Sequence, residues 1–207
     1  MKNTLTVVLL LVVFSIVACG DKTSNIQSNA NAVVKKGVTP IPDADIAVIE
    51  MENAAAYGTI KLELYSNIAP KMVARFKELA NEGVYSGVSF HRINASVIQA
   101  GDPLSKNSNP ADDGTGKSDK PNVEAEFSDI PYDTGILGAA RGQDNNSANS
   151  QFFITLKREA GFDNRYTIFG KVVEGINNVR TIAGVQDKTG ERPNEAIRIK
   201  QITFVPR

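Results

Sequence analysis

The chain of 207 residues contains no tryptophan, one cysteine and one histidine, and its 23 basic residues balance its 23 acidic ones. A single cysteine, Cys19, cannot form an internal disulfide. The zero net charge removes the usual sequence evidence for a nucleic-acid partner, so none is expected. The longest apolar run has 14 positions, from Leu5 to Ala18, broken by Thr6 and Ser15. It is too short for a transmembrane helix, which needs roughly 20 residues.

The apolar run instead has the length of the core of a signal peptide, roughly 7 to 15 residues. It ends in SIVACG, which resembles the bacterial lipobox, where the cysteine receives diacylglycerol and becomes the mature N-terminus. We therefore expect residues 1–18 to be a lipoprotein signal peptide and Cys19 to carry acyl chains such as palmitate, which anchor the protein to a membrane. Two alternatives stay open: a cleaved secretory signal with an incidental cysteine, and an uncleaved short anchor.

Residues 19–43 contain Cys19 and then a stretch rich in serine, asparagine, lysine and proline, without a sustained hydrophobic period. This composition is typical of a flexible tether. We expect it to hold residues 44–207 off the membrane as one domain. The expected location is the bacterial cell envelope, outside the cytoplasm, in the periplasm or on the surface.

From residue 46 onward, short segments with alternating polarity predict β-strands over 46–51, 58–65, 88–93, 97–99, 135–140, 151–156, 166–173 and 196–205. Helices are predicted from Pro70 to Gly83, where proline suits the first turn and glycine the end, and over 175–183. The first helix carries an apolar stripe formed by Met72, Val73, Phe76, Leu79 and Ala80. Many short strands with two helices predict a mainly β protein, a closed antiparallel β-barrel capped by the helices.

The polar stretch from 102 to 134 contains two segments that resemble ligand-binding loops but lack a residue that each loop requires. The segment DDGTGKSD lacks the glycine that a phosphate-binding loop places five residues before Gly116-Lys117, because residue 111 is alanine. The segment NPADDG would place Lys120 where a calcium loop needs a bidentate glutamate. We therefore expect no nucleotide, metal or other cofactor.

Several segments occur in a diagnostic order: an APK helix, FHR at 90–92, IQAGDP at 98–103, GTG, AEF, SQFFITL and YTIFGKVVEG. In this order they resemble the cyclophilins, the peptidyl-prolyl cis-trans isomerases. The resemblance extends from about residue 46 to 205. It implies an eight-stranded closed barrel, proline-containing polypeptides as clients, no cofactor and a monomer.

Rotation about an X–Pro bond explains why the chain needs no nucleophile. The barrier of ~18–20 kcal/mol comes from amide resonance, and a twisted amide returns a lone pair to the prolyl nitrogen. A fixed cationic donor at that nitrogen would stabilise the twisted state, and a guanidinium is always charged. The resemblance makes Arg92 the catalytic arginine and Gln99 its partner, which also holds the substrate backbone. His91 is interpreted as structural, because the rotation moves no proton.

The resemblance also implies a proline pocket with Phe153 as its aromatic floor. Phe152 and Phe153 must lie on opposite faces of their strand, so only one of them can line that pocket. The other substrate-binding positions implied are Gln151, Val97, Ser96, Ala140, Arg141, Phe162 and Tyr166.

Three departures from the family pattern bear on function. The segment between Arg92 and Gln99 is one residue shorter than in many relatives, and Ser96 stands where an aromatic residue usually lines the pocket. This predicts weaker binding of proline. Gly161 replaces the tryptophan of many cyclosporin-sensitive relatives, which predicts weak cyclosporin binding. An insertion at about 104–113 either extends the rim of the pocket or is disordered.

The leading hypothesis is a prolyl isomerase that assists the folding of extracytoplasmic proteins. The alternatives are a proline-peptide-binding chaperone or surface binding module with little turnover, and a structural envelope lipoprotein with an idle groove.

Overall fold

The computed structural model describes residues 32–185 and 190–207. The predicted signal peptide, the lipid on Cys19 and the first part of the tether lie outside these residues. Within them no helix has the length and apolar character required to cross a membrane. The elements in chain order are β1 (Asp45–Met51), α1 (Ala54–Tyr57), β2 (Thr59–Leu64), α2 (Pro70–Asn81), β3 (Arg92–Ile93), β4 (Val97–Ala100), β5 (Ile136–Ala139), β6 (Phe152–Thr155), β7 (Ile168–Glu174), α3 (Ile176–Ala183) and β8 (Ile199–Pro206).

All eight strands belong to one antiparallel sheet in the order β3-β4-β6-β5-β7-β2-β1-β8. The predicted strand number and antiparallel pairing are confirmed, but the predicted closure is wrong. Among the described residues, the edge strands β3 and β8 share no ladder, and the sheet is curled and open. Residues 87–90, before β3, meet residues 197–199, at the start of β8, through an isolated bridge between Ser89 and Arg198 and a few backbone hydrogen bonds. Strand β3 has only two residues, Arg92 and Ile93, and its ladder partner is β4.

The outer edge of β3 is covered by a loop residue instead of a strand. The backbone N–H of Ile93 donates to the carbonyl of Glu191 at 2.5 Å. An unpaired strand edge invites association with other chains, so this contact protects it. It also brings the side chain of Glu191 next to β3.

Helix α2 forms as the sequence pattern predicts. Pro70 lies in its first turn, and its buried residues are the five of the predicted stripe. After Asn81 the chain ends the helix in a Schellman motif, with Val84 N–H donating to Leu79 O and Gly83 N–H to Ala80 O, at 2.9 and 3.0 Å. Gly83 has φ of 72°, which glycine adopts without a steric penalty.

Two apolar clusters form the core, and the neighbours Phe152 and Phe153 belong to different ones. Phe152 lies in the larger cluster with the buried residues of α2 and α3. Phe153 lies in a smaller cluster that includes Val97 and Tyr132. The predicted alternation therefore holds, and it places Phe153 on the face of the sheet that carries the cavity described below.

Residues 35–43, which we call the N-terminal strap, are bound to the domain although the sequence predicts a flexible tether there. Lys35 exchanges backbone hydrogen bonds with Phe127 and Asp129, at 2.8 and 3.0 Å. The side chain of Asn67 donates to Thr39 O at 2.9 Å. These polar groups satisfy the backbone of the strap, so contacts with the domain begin at Lys35 and not at residue 44.

Candidate active site

Arg92 and Phe153 belong to one transverse row of the sheet. Arg92 pairs with Gln99 across β3 and β4, and Gln99 pairs with Phe153 across β4 and β6. Because neighbouring strands lie about 4.8 Å apart, the outer two backbones are separated by roughly 10 Å and their side chains share a face. Both residues line a cavity of about 340 Å³, which we call the aromatic cavity.

The guanidinium of Arg92 is oriented by two side chains. Nη1 donates to Oε1 of Gln99 at 3.4 Å, and Nε and Nη2 both donate to the carboxylate of Glu191, with 3.3 Å between Nη2 and Oε1. Asn94 Nδ2 donates to the same carboxylate at 2.9 Å. A guanidinium has five N–H groups, so one on each terminal nitrogen stays available to a substrate.

The carboxylate of Glu191 stays ionised at neutral pH. The hydrogen bonds from Arg92 and Asn94 lower the pKa of Glu191 below its ordinary value. Both members of the pair are half exposed, with 44% and 52% of the side-chain area accessible. An exposed pair of this kind contributes about 0.2–1 kcal/mol. It therefore positions Arg92 without burying its charge.

A chain of amides holds Gln99 in place. Gln99 Nε2 donates to Oε1 of Gln151 at 2.8 Å, and Gln151 Nε2 donates to the carbonyls of Gly114 and Gly116, at 3.0 and 2.8 Å. These bonds fix the amide orientation of Gln99 and direct its oxygen to Arg92.

Aromatic rings form the floor and one wall of the aromatic cavity. The ring of Phe153 lies 5.6 Å from that of Phe162, 5.7 Å from that of Tyr166 and 5.8 Å from that of Tyr132 beneath it. Phe162 is supplied by the 3-10 turn Ala160–Phe162. The result is a rigid apolar surface next to a cation, which suits a proline ring attached to a polar amide.

Arg141 is bound to the rim by its own set of contacts. Its guanidinium donates to the carbonyls of Arg165, Gly142 and Gln143 at 2.9–3.3 Å and lies 4.7 Å above the ring of Tyr166. It is therefore a fixed part of the rim.

His91 lies beside Arg92 and also lines the aromatic cavity. It is only 5% exposed, and neither ring nitrogen makes a hydrogen bond of normal geometry within the described residues. Burial lowers the pKa of His91 below 6.5, with the Asp102 carboxylate opposing this effect. At neutral pH the ring is an uncharged part of the wall.

The structure brings eight of the ten predicted site residues to the aromatic cavity: Arg92, Val97, Gln99, Ala140, Arg141, Phe153, Phe162 and Tyr166. Gln151 lines an adjoining cavity instead. Ser96 lines neither cavity, contrary to the prediction. The side chain of Asn94 accepts hydrogen bonds from the backbone of Ser96 and Val97, at 2.9 and 3.0 Å, so Ser96 lies in the tight turn before β4.

Sequence reasoning missed four residues of the aromatic cavity: Asp113, Gly114, Glu191 and Arg192. Asp113 ends the insertion and pairs with Arg192 at 3.3 Å, so the insertion contributes to the rim. Burial raises the pKa of Asp113, although the Arg192 charge opposes the shift. Glu191 and Arg192 come from the loop before β8, which shows no hydrophobic periodicity. Only their charge and their position before a strand could have indicated a role in the site.

Comparisons with known proteins agree with this geometry. The family model described as "Cyclophilin type peptidyl-prolyl cis-trans isomerase/CLD" matches residues 48–204. A probable peptidyl-prolyl cis-trans isomerase of Brucella suis is 42% identical over 146 residues, covering 68% of this chain and 72% of that protein. The mouse peptidyl-prolyl cis-trans isomerase-like 1 is 38% identical and covers 69% and 84%. A Cryptosporidium parvum cyclophilin crystallised in the presence of the dipeptide Ala-Pro superposes with a TM-score of 0.69 at 28% identity, covering 78% and 99%.

Proposed function

The chain belongs to the cyclophilin-type peptidyl-prolyl cis-trans isomerases, and we propose that it is a lipid-anchored isomerase of the bacterial envelope that assists the folding of extracytoplasmic proteins. The isomerase activity follows from the family. One observation supports placing this activity at the aromatic cavity: Arg92 and Phe153 both line it. The lipobox-like segment before Cys19 supports the envelope location.

Catalysis requires the site to bind a twisted amide better than either planar isomer. The proline ring would lie on Phe153, and the free N–H groups of Arg92 would face the prolyl nitrogen. As the bond twists, that nitrogen regains a lone pair and becomes an acceptor for a donor that is already in place. No covalent bond forms and no proton is transferred.

The size of the expected effect shows that Arg92 does not act alone. A 10⁵-fold acceleration requires about 7 kcal/mol of transition-state stabilisation. One hydrogen bond to a charged group contributes about 1.5–3 kcal/mol. The remainder has to come from substrate positioning by the Gln99–Gln151 amides and from water exclusion by the aromatic rings.

The test is an isomerisation assay on an X–Pro peptide, read by exchange NMR. We expect Arg92→Ala to lower kcat/KM by roughly 10²-fold, since it removes a stabilising contact of about 1.5–3 kcal/mol and its orienting role. Arg92→Lys should recover only part of the loss, because lysine lacks the rigid fork. Arg180→Ala on α3 is the matched control and should keep wild-type turnover. Undiminished catalysis by Arg92→Ala would contradict the mechanism.

A second candidate is a binding module with little turnover, and the Glu191 contact favours it. A carboxylate on the guanidinium reduces the positive charge that the prolyl nitrogen would meet. The same NMR experiment separates the two, because a module would broaden or shift the peptide signals without exchange between cis and trans resonances.

The envelope location has its own test. We expect the full chain expressed in a lipoprotein-processing bacterium to incorporate labelled palmitate and to sediment with membranes. Cys19→Ser should abolish the label and release the protein. Equal labelling of both proteins would contradict lipidation at Cys19 and leave the isomerase assay unaffected.

A further inference from the structure

A second cavity of about 360 Å³ adjoins the aromatic cavity, and we call it the polar cavity. The two share Gln99, Gly114, Ala140 and Arg141 as lining residues. A polypeptide whose proline occupies the aromatic cavity can therefore place a neighbouring residue over the polar cavity. Each residue spans about 3.3–3.6 Å, so the residue over the polar cavity lies within a few positions of the proline.

The two cavities differ in the balance of their charges. Arg141 lines both cavities. The other two arginines of the aromatic cavity are paired, Arg92 with Glu191 and Arg192 with Asp113. In the polar cavity the charged lining residues within the described ranges are Lys117 and Arg141, both cationic. Among the described residues no carboxylate forms an ion pair with either of them.

Arg141 is oriented but not neutralised. Every hydrogen bond it makes within the described part of the chain goes to a backbone carbonyl, and its other contact is the ring of Tyr166. Carbonyl dipoles and an aromatic face hold a guanidinium in place without removing its charge. Lys117 is exposed and lines the same cavity. A carboxylate in this cavity would therefore meet cations that no carboxylate of the described residues already pairs with.

We infer that the polar cavity selects clients with an acidic side chain close to the proline. This inference rests on the proposed isomerase function and names the substrate class of the same groove. Arg141 and Lys117 are the residues that determine the preference. The remaining lining residues of the polar cavity are uncharged.

The test uses X–Pro peptides with glutamate, glutamine or lysine at each of the two positions on either side of the proline, assayed with the full chain. At one of these positions we expect kcat/KM to fall in the order glutamate, glutamine, lysine, by roughly fivefold at each step in low salt, as for exposed charge pairs. The preference should shrink in high salt, because the charges are screened.

Two variants locate the preference, and the ratio of glutamate to glutamine turnover within each variant cancels any general loss of activity. Arg141→Met should reduce the ratio. Lys117→Glu, at an exposed position, should reduce it further or reverse it. Lys200→Gln on β8 removes one charge elsewhere and should keep the wild-type ratio.

Equal turnover of glutamate and glutamine peptides at every position would overturn the inference, as would a preference that survives Lys117→Glu combined with Arg141→Met. Failure to turn over even the glutamine peptides would instead contradict the proposed isomerase function. The two failures are therefore distinguishable.

Discussion

Gly138 lies directly opposite Phe153 across β5 and β6, and a β-carbon on residue 138 would come within 2.3 Å of Cζ of the phenyl ring. The same β-carbon would lie 2.8 Å from the hydroxyl of Tyr132. Real β-carbons do not approach other atoms so closely. Glycine at this position therefore gives the ring the space it occupies at the floor of the aromatic cavity.

Gly138→Ala should displace the ring of Phe153 into the aromatic cavity. Overpacking of this kind costs about 1–3 kcal/mol of stability. We expect kcat/KM to fall by about tenfold or more, corresponding to about 1.4 kcal/mol in the barrier. Chemical denaturation and the NMR exchange assay measure the two effects. Gly161→Ala is the control, because a β-carbon there meets no atom within 4 Å. Equal activity of both variants would contradict the assignment of Phe153 as the floor.

Glu191→Gln should weaken the orientation of Arg92 while preserving the fold. The pair is half exposed, so its loss should change the free energy of unfolding by under about 1 kcal/mol. Because the glutamine amide cannot accept from both Nε and Nη2 as a carboxylate does, we expect kcat/KM to fall about two- to fivefold. Steady-state kinetics at low and high salt measure this.

A matched control for that variant is Glu195→Gln, which removes the same charge from an exposed residue outside both cavities. It should leave turnover unchanged. A gain in activity for Glu191→Gln would show that the carboxylate restrains the guanidinium, and it would reverse our assignment of Glu191 as a positioning residue.

His91 should make stability depend on pH below about 6.5, its ordinary pKa. Burial lowers the pKa in the folded state, so below pH 6.5 the unfolded chain takes up a proton that the folded chain does not. Stability is then lost as the pH falls from 6.5 towards the folded pKa, by at most about 1.4 kcal/mol per pH unit. Urea denaturation at pH 7.5 and 5.5 measures the loss.

His91→Gln should show a smaller loss between the same two pH values, since glutamine does not titrate. The comparison separates the contribution of His91 to the pH dependence of stability from the contributions of Asp102 and Arg192, the charged groups that influence its pKa. An identical loss in wild type and variant would assign the pH dependence to other groups.

Gly161→Trp should strengthen the binding of cyclosporin. A β-carbon on residue 161 would meet no atom within 4 Å, so a side chain can begin there without a clash. Burying a large side chain against a ligand contributes about 1.5–3 kcal/mol, which corresponds to roughly tenfold or more in Kd. Isothermal titration of wild type and variant decides the matter; tight binding by the wild type would contradict the sequence-based prediction.

Local patterns allowed much of the fold to be predicted. The stripe of α2, its termination at Gly83 and the opposite faces of Phe152 and Phe153 depend on residues close together in the sequence, where helical and strand periodicity determines which side is buried. The row from Arg92 to Phe153 required pairing across three strands and was accessible only through the resemblance to a family.

The rest depends on contacts between segments without periodicity. The side chain of Glu191 reaches Arg92 because the backbone carbonyl of Glu191 covers the edge of β3. The local sequence around Glu191 contains no pattern that predicts this contact. The turn built by Asn94 carries Ser96 away from the aromatic cavity, a detail of side-chain hydrogen bonding. The N-terminal strap has the composition of a tether and binds only because Asn67 and Asp129 offer partners from distant segments.

With the lipid anchor that we propose at Cys19, the strap would also limit where the enzyme can work. Lys35 is held on the domain only sixteen residues after Cys19. A chain of that length reaches at most about 55 Å, whatever its conformation. An enzyme anchored through Cys19 would therefore be confined to a thin layer next to the membrane. Polypeptides that emerge through that membrane or bind to it would encounter the enzyme before polypeptides that diffuse at greater distances.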